Sequence, residues 1–172
     1  MNDQGLDCAA LCLNAIRRSD LLAALALVTA ATEPNAFIAG FTAGAGGRAD
    51  TAIRPLPISP RQRLDDVLGK VSGLAFDRTD CSLPMLWALE RKMDIDHFSI
   101  FNDNETWAGH MHPHQALRAY RDKTGIDARL SVVGMTATDF TIADPADPGM
   151  LDVAGFDPAV PGLLADFARG SI

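Results

Sequence analysis

The sequence predicts an α/β fold, a doubly wound and mostly parallel sheet flanked by helices. The first reason is that short apolar segments typical of buried strands alternate along the chain with segments of helical periodicity. The second is that 48% of the 172 residues are hydrophobic, which is enough for the full core of one domain. The sequence shows no internal repeat, low-complexity tract or interdomain linker. We therefore predict a single domain over residues 1–172.

The elements of the first half follow from apolar runs and the residues that break them. Residues 6–8 are interpreted as the carboxyl end of a first strand, and the apolar segment 21–31 predicts a buried helix. Residues 36–41 have the composition of a buried strand, and 52–56 are predicted to be its hairpin partner. Pro55 has no backbone N–H to donate, so this partner is expected at the edge of the sheet.

The second half continues the alternation. Ser59 and Gln62 have the spacing of a capping box and predict that a helix begins at Pro60, with Leu64 and Val67 on its inward face. The remaining predicted elements are helices at 82–93, 113–124 and 159–168 and strands at 97–101, 129–135 and 150–153.

The composition limits the classes of function. The formal net charge is −7 and the sequence pI is about 4.9, which argues against the broad basic surface that neutralises nucleic-acid phosphates. The three cysteines form no CxxC pair, so we expect reduced thiols rather than a disulfide framework or a zinc site. The sequence shows no basic signal segment, and its apolar runs are far below the roughly 20 residues of a membrane span. A soluble, cytoplasmic protein is predicted.

Carboxylates are placed where such a fold binds ligands. Asp103 follows the predicted strand 97–101, and the carboxyl ends of strands are the ligand-binding edge of open α/β sheets. Asp7 and Asp80 lie in two further segments predicted to be strand ends or loops. Three segments, each with a hard oxygen ligand, are expected to converge on one small site.

Long and unusual strings specify a resemblance. They are Thr79-Asp80-Cys81-Ser82-Leu83-Pro84-Met85-Leu86-Trp87-Ala88, Asp103-Asn104-Glu105-Thr106-Trp107-Ala108-Gly109, Thr141-Ile142-Ala143-Asp144-Pro145 and Gly149-Met150-Leu151-Asp152. These strings resemble the von Willebrand factor A domain at the C-terminal end of the Ro ribonucleoprotein autoantigen family, also called TROVE-domain proteins. The resemblance implies an RNA-binding family in which this domain closes a ring of helical repeats that holds small noncoding RNAs such as Y RNA. The ring has no counterpart in this sequence, so its RNA contacts are not assigned here.

The resemblance also implies a metal-ion-dependent adhesion site. In the family this site combines an Asp-x-Ser-x-Ser after the first strand, a loop Thr and a later Asp, oxygen ligands that suit Mg²⁺. On this pattern Asp7, Thr79 and Asp103 are the candidate metal ligands. Ala9 and Leu11 stand where the two serines are expected, so two hydroxyl ligands are missing. We therefore predict a degenerate site at which Mg²⁺ is a doubtful cofactor.

The residues around these ligands suggest a recognition surface. Arg78 brings a cation next to the predicted site, which weakens Mg²⁺ further and can pair with a carboxylate. Asp80, Glu105, Trp107 and His112 are predicted to form the rim that contacts a partner, with Asp80 equally suited to cap the following helix.

His110, His112 and His114 invite a zinc or nickel interpretation because they alternate along the chain. Alternating histidines in a loop and at a helix start do not converge on one ion as those of a strand would, so we expect separate, solvated side chains.

The function predicted from the sequence is a non-enzymatic binding or assembly module of a Ro-like RNA-binding ribonucleoprotein. Its expected partner is another protein or the helical-repeat half of a Ro-like protein, with small noncoding RNA contacted only indirectly. One alternative is a Mg²⁺-dependent receptor in which a partner's carboxylate completes an intact metal site. Another is a small Cys/His hydrolase that uses Cys81 or the histidine cluster, because Cys8 and Cys81 flank the predicted site and His112 is expected near it. Whether the chain is complete or a fragment, and its oligomeric state, stay open.

Overall fold

The computed structural model describes residues 9–14, 19–33, 35–43, 52–73, 79–102, 109–134, 142–155 and 157–172. The strands within these ranges are β1 (Ala9–Asn14), β2 (Ala36–Phe41), β3 (Ile53–Pro55), β4 (His97–Asn102), β5 (Arg129–Gly134) and β6 (Met150–Ala154). The helices are α1 (Ser19–Thr32), α2 (Leu64–Ser72), α3 (Leu83–Glu90), α4 (Pro113–Thr124) and α5 (Val160–Ala168).

The six described strands form one sheet in the order β3-β2-β1-β4-β5-β6. β2, β1, β4, β5 and β6 are parallel to their neighbours in that order, and β3 pairs antiparallel with β2 at one edge. The predicted fold class and the edge position of the strand that contains Pro55 are thus confirmed. The chain moves from β1 to β2 on one side and from β4 to β5 on the other, so the strand order reverses between β1 and β4. Ligands of open α/β sheets bind outside the carboxyl ends of the strands at such a reversal.

The first strand differs from its prediction. β1 begins at Ala9, where the prediction had the strand already ended, and Asn14 is its last residue. The interpretation that Asp7 follows the first strand is therefore wrong: it precedes β1 along the chain, whereas Asp103 follows β4, and these two strands are parallel. Ala9 and Leu11 belong to β1 rather than to a loop beyond it. Asp7 and Asp103 themselves lie outside the described residues.

Helix α2 also starts later than predicted. Gln62 Oε1 accepts the Ser59 N–H at 3.0 Å, but this bond closes a turn, and the helix begins after Arg63, whose backbone is extended. Leu64 is therefore the first residue of the helix and is exposed, so its predicted inward position is wrong, while Val67 is buried as predicted.

The sheet is covered on both faces. On one face, α3 and α4 pack over a core that includes Trp87, Phe98, Ile100, Leu117 and Leu130. On the other face, helices α1, α2 and α5 pack over a core that includes Leu13, Leu22, Val67, Phe101 and Leu164. Every residue of β4 is buried, as is typical of the central strand of a parallel sheet with helices on both sides.

Tyr120 ties α4 to the segment that enters β4. Its fully buried hydroxyl donates to the Met93 carbonyl at 2.6 Å and accepts the Ile95 N–H at 2.7 Å. Tyr120→Phe keeps the ring and its edge-to-face contact with Phe98 but leaves a buried donor and a buried acceptor without this partner. We expect it to lower the free energy of unfolding by about 2 kcal/mol in urea titrations. A loss within the error of the titration would show that the two backbone groups find other partners.

Candidate functional site at the carboxyl end of the sheet

The carboxyl end of β4 and the start of α3 bring buried polar side chains together. Asn102 ends β4 and is fully buried, and its amide Nδ2 donates to Cys81 Sγ at 3.1 Å. Thr79, Asp80 and Ser82, in the segment that leads into α3, are also buried. The sequence prediction missed Asn102. The signal available was its position as the last residue of an apolar strand, directly before Asp103.

The Asp80 carboxylate is engaged inside the protein. Its Oδ1 accepts the Ser82 N–H at 3.0 Å and the Ser82 hydroxyl at 2.6 Å, which holds the turn that begins α3. Gly109 packs directly over this carboxylate, because a Cβ built on that glycine would lie 2.3 Å from Asp80 Oδ2. With 4% of its surface exposed, Asp80 is not part of an exposed rim, and it holds the turn two residues before Ser82, which is the N-cap of α3.

His112 lies at this edge on the N-cap of α4. Its backbone N–H donates to Gln115 Oε1 at 3.1 Å, and its ring is exposed. Its Nδ1 lies 2.6 Å from His114 Nδ1, so these two histidines contact each other and the expectation of separate side chains is wrong for them. Partial burial of the ring lowers the pKa of His112, and His114 lowers it further, while Asp144 and Asp152 act in the opposite direction.

The predicted metal ligands are not assembled by the described part of the chain. Thr79 is present and buried, whereas Asp7 and Asp103 lie outside the described ranges, as do Glu105 and Trp107 of the predicted rim. Within the described ranges, no group of three or more His, Cys, Asp or Glu side chains is placed to hold a metal ion.

The two described cysteines are poorly suited to nucleophilic chemistry. Both Cys12 and Cys81 are buried thiols. Burial, and then the proximity of Cys81, raises the pKa of Cys12 to about 12, so this thiol stays protonated at neutral pH. Cys81 is fully buried, which closes it to a substrate in this conformation.

A second buried polar cluster lies at the other end of β4. His97 Nε2 is 2.8 Å from Ser131 Oγ and its Nδ1 is 3.5 Å from Ser99 Oγ. The ring meets Phe167 edge-on, with the centroids 6.0 Å apart, and lines a cavity of about 50 Å³ beneath α1 and α5. Burial, and then the nearby Arg129 guanidinium, lowers the pKa of His97 to about 4. This histidine is not among the site residues predicted from the sequence.

Comparisons with known proteins agree with the fold. A family model of the Ro60 vWA domain matches residues 5–168. The RNA-binding protein RO60 of Deinococcus radiodurans is 45% identical over 150 residues, which are 87% of this chain and 27% of that protein. The RNA-binding protein RO60 of Caenorhabditis elegans is 48% identical over 121 residues, 70% of this chain and 19% of that protein. The crystal structure of the Deinococcus radiodurans RO (RSR) protein superposes with a TM-score of 0.83 and 38% identity, covering 96% of this chain and 34% of that one.

The chain thus spans about a quarter of the length of the Deinococcus radiodurans relative and about a fifth of the length of the Caenorhabditis elegans relative. Among the helices of the described ranges, none has the length and apolar character that crossing a membrane requires.

Proposed function

The chain belongs to the Ro60 vWA domain family, and from this membership we propose that it is a non-enzymatic binding module of a Ro-like RNA-binding protein. The observation that carries the proposal is the state of the polar side chains at the carboxyl end of the sheet. Asp80 and Asn102 are buried and hydrogen-bonded inside the protein, and Cys81 is covered. Because these polar groups are buried, the carboxyl end of the sheet is better suited to binding a partner through a rigid surface than to catalysing a reaction. The buried free cysteines Cys12 and Cys81 suit the reduced, cytoplasmic setting that we propose for it.

The residues that follow from the end of β1 give a further reason to propose that the metal site is degenerate. The family's Asp-x-Ser-x-Ser begins where the first strand ends, and that position is Asn14. Counting from it, Ile16 and Arg18 stand at the two serine positions. An amide in place of a carboxylate, with neither hydroxyl, removes much of the hard oxygen set that Mg²⁺ requires. Thr79 and Asp103 are then the proposed remnants of the site.

Mg²⁺ is accordingly expected to leave the thermal unfolding midpoint unchanged. A ligand that binds the native state must raise this midpoint, so millimolar Mg²⁺ and EDTA are predicted to give the same curve in differential scanning fluorimetry. Asp103→Ala provides the control. If Mg²⁺ raised the midpoint by several degrees and Asp103→Ala removed that rise, the Mg²⁺-dependent receptor would replace the degenerate site.

The proposed partner is the part of a Ro-like protein that lies outside this domain, and RNA would be contacted only through it. The formal net charge of −7 supports this, because nucleic-acid binding is driven by clustered Lys and Arg on phosphates. The exposed carboxyl-end surface next to α4 includes Met111 and His112, and an exposed Met is an adaptable contact for a protein partner.

The test measures binding of the whole chain to two probes. Isothermal titration with the region of the Deinococcus radiodurans relative outside the matched segment is expected to give a 1:1 complex. We expect Met111→Asp to weaken this complex, whereas Ile172→Asp, at an exposed residue that follows α5, leaves it intact. Filter binding to a small structured RNA is expected to be weak. Tight RNA binding that falls steeply with salt would contradict the indirect role, and the absence of any protein complex would contradict the assembly role.

A further inference from the structure

The contact between His112 and His114 places two metal-binding nitrogens side by side. The two Nδ1 atoms are 2.6 Å apart, and the ring centroids are 4.4 Å apart with the planes tilted by 43°. Both side chains are anchored by α4, since His112 is its N-cap and His114 lies in its first turn. At this separation both nitrogens cannot carry a proton toward each other, so at least one lone pair points into the gap.

We propose that His112 and His114 form a two-nitrogen site for a divalent transition-metal ion that prefers tetragonal geometry, Cu²⁺ or Ni²⁺. With metal–nitrogen bonds of about 2.0 Å, two nitrogens at a right angle lie about 2.8 Å apart, and at a tetrahedral angle about 3.3 Å apart. The observed 2.6 Å between the two Nδ1 atoms is much closer to the separation at a right angle than to the separation at a tetrahedral angle. Tetragonal nitrogen and oxygen sites are those of Cu²⁺ and Ni²⁺, whereas Zn²⁺ prefers the tetrahedral arrangement.

The surroundings are suited to a cation. Asp144 and Asp152 both act electrostatically on the His112 ring, so two carboxylates lie in its neighbourhood. Their charge opposes the positive end of the α4 dipole, which alone would disfavour a metal ion. His112 is exposed and His114 is half-buried, so the remaining coordination positions are open to water. The site is therefore an open one with two protein ligands, which agrees with the absence of a three-residue metal group within the described ranges.

The test titrates the full chain, produced without a histidine tag, with Cu²⁺, Ni²⁺ and Zn²⁺ at neutral pH. Calorimetry is expected to give one Cu²⁺ per chain, and electron paramagnetic resonance to show a tetragonal centre with two nitrogen ligands. His112→Asn keeps a good N-cap residue, and His114→Gln keeps a helix former, so both variants are expected to fold as before. Each should weaken Cu²⁺ binding by at least about tenfold, since even the loss of residues that merely support a ligand costs that much.

His110→Gln is the matched control, because it removes a histidine of the same loop that is outside the pair. It is expected to leave the Cu²⁺ affinity unchanged. The proposal is overturned if the double variant of His112 and His114 binds Cu²⁺ as well as the unmodified chain, or if His110→Gln weakens binding equally. Tighter binding of Zn²⁺ than of Ni²⁺ would overturn the tetragonal geometry. None of these outcomes depends on whether the chain assembles with a Ro-like partner.

Discussion

Acidification through the window from pH 6.5 to about 4 is expected to lower the free energy of unfolding by roughly 3 kcal/mol through His97 alone. The buried ring has a folded-state pKa of about 4 against 6.5 for an ordinary histidine, because burial disfavours its charged form and Arg129 repels it. Within this window the unfolded chain binds a proton at His97 that the folded chain does not. The stability is therefore fully present above pH 6.5 and is lost as the pH falls.

Other groups that face His97 or titrate nearby do not reverse this sign. Ser99 and Ser131, which contact the His97 ring, carry no charge. Glu33 is a carboxylate that lines the same cavity as His97. The lowered pKa of His112 acts in the same direction. For Asp147, burial acts to raise the pKa, but hydrogen bonds from Arg121 and the Gly149 N–H lower it, so its contribution is lost only below about pH 3.8. Asp152 acts oppositely, because burial raises the pKa of its carboxyl.

The measurement is a series of urea titrations across this pH range, combined with the proton NMR titration of the His97 ring. His97→Gln can still hydrogen-bond with Ser131 but does not titrate, so its stability should vary much less with pH. His110→Gln, which removes a histidine with an exposed side chain, should retain the full dependence. Equal pH dependence in His97→Gln and the unmodified chain would place the titrating group elsewhere.

Gly109→Ala is expected to lower the free energy of unfolding by about 3 kcal/mol. Gly109 has a φ of +109°, a conformation that residues with a side chain rarely adopt. The added methyl would also lie 2.3 Å from Asp80 Oδ2, and this buried carboxylate is held in place by Ser82. Since Asp80 cannot swing away without breaking those bonds, strain and collision add together.

Gly69→Ala is the matched control for this substitution. Gly69 lies in the interior of α2, and a Cβ built there meets no atom within 4 Å. The same chemical change is therefore expected to stabilise the chain by about 0.5 to 1 kcal/mol in urea titrations. In an Asp80→Ala background, Gly109→Ala should cost less than it does in the unmodified chain, because the collision partner is gone. If Gly109→Ala were as mild as Gly69→Ala, the close packing over Asp80 would be refuted.

Most of the fold could be predicted from the sequence, because parallel strands buried on both faces are continuous apolar runs. β2 has the predicted bounds, and α4 begins at Pro113 and ends before Gly125 as predicted. The failure at β1 has a physical cause. Its residues are Ala, Leu, Cys and Asn, with none of the β-branched or aromatic residues that mark strands. The sequence alone therefore predicts a strand that ends near Asp7 instead of one that begins at Ala9.

The candidate site was harder to predict than the fold. The role of a residue in such a site depends on whether it precedes or follows its strand. Because β1 begins at Ala9, the predicted first ligand, Asp7, precedes the strand along the chain instead of following it. Thr79 and Asp80 were correctly placed before α3, but the close approach of Gly109 to the Asp80 carboxylate arises only from packing. The contact between His112 and His114 depends on side-chain rotations that spacing alone does not fix.

The position of β4 has a consequence for how the domain carries its loops. With β1 and β5 paired to its two sides and every residue buried, β4 is expected to be the last strand to open, and its amides the slowest to exchange with solvent. Asn102 is the last residue of that strand, and the segment that continues toward α4 starts from it. Substitutions in that segment are therefore expected to leave the strand that precedes it in place, so that the proposed recognition surface could change its specificity without a change in the core.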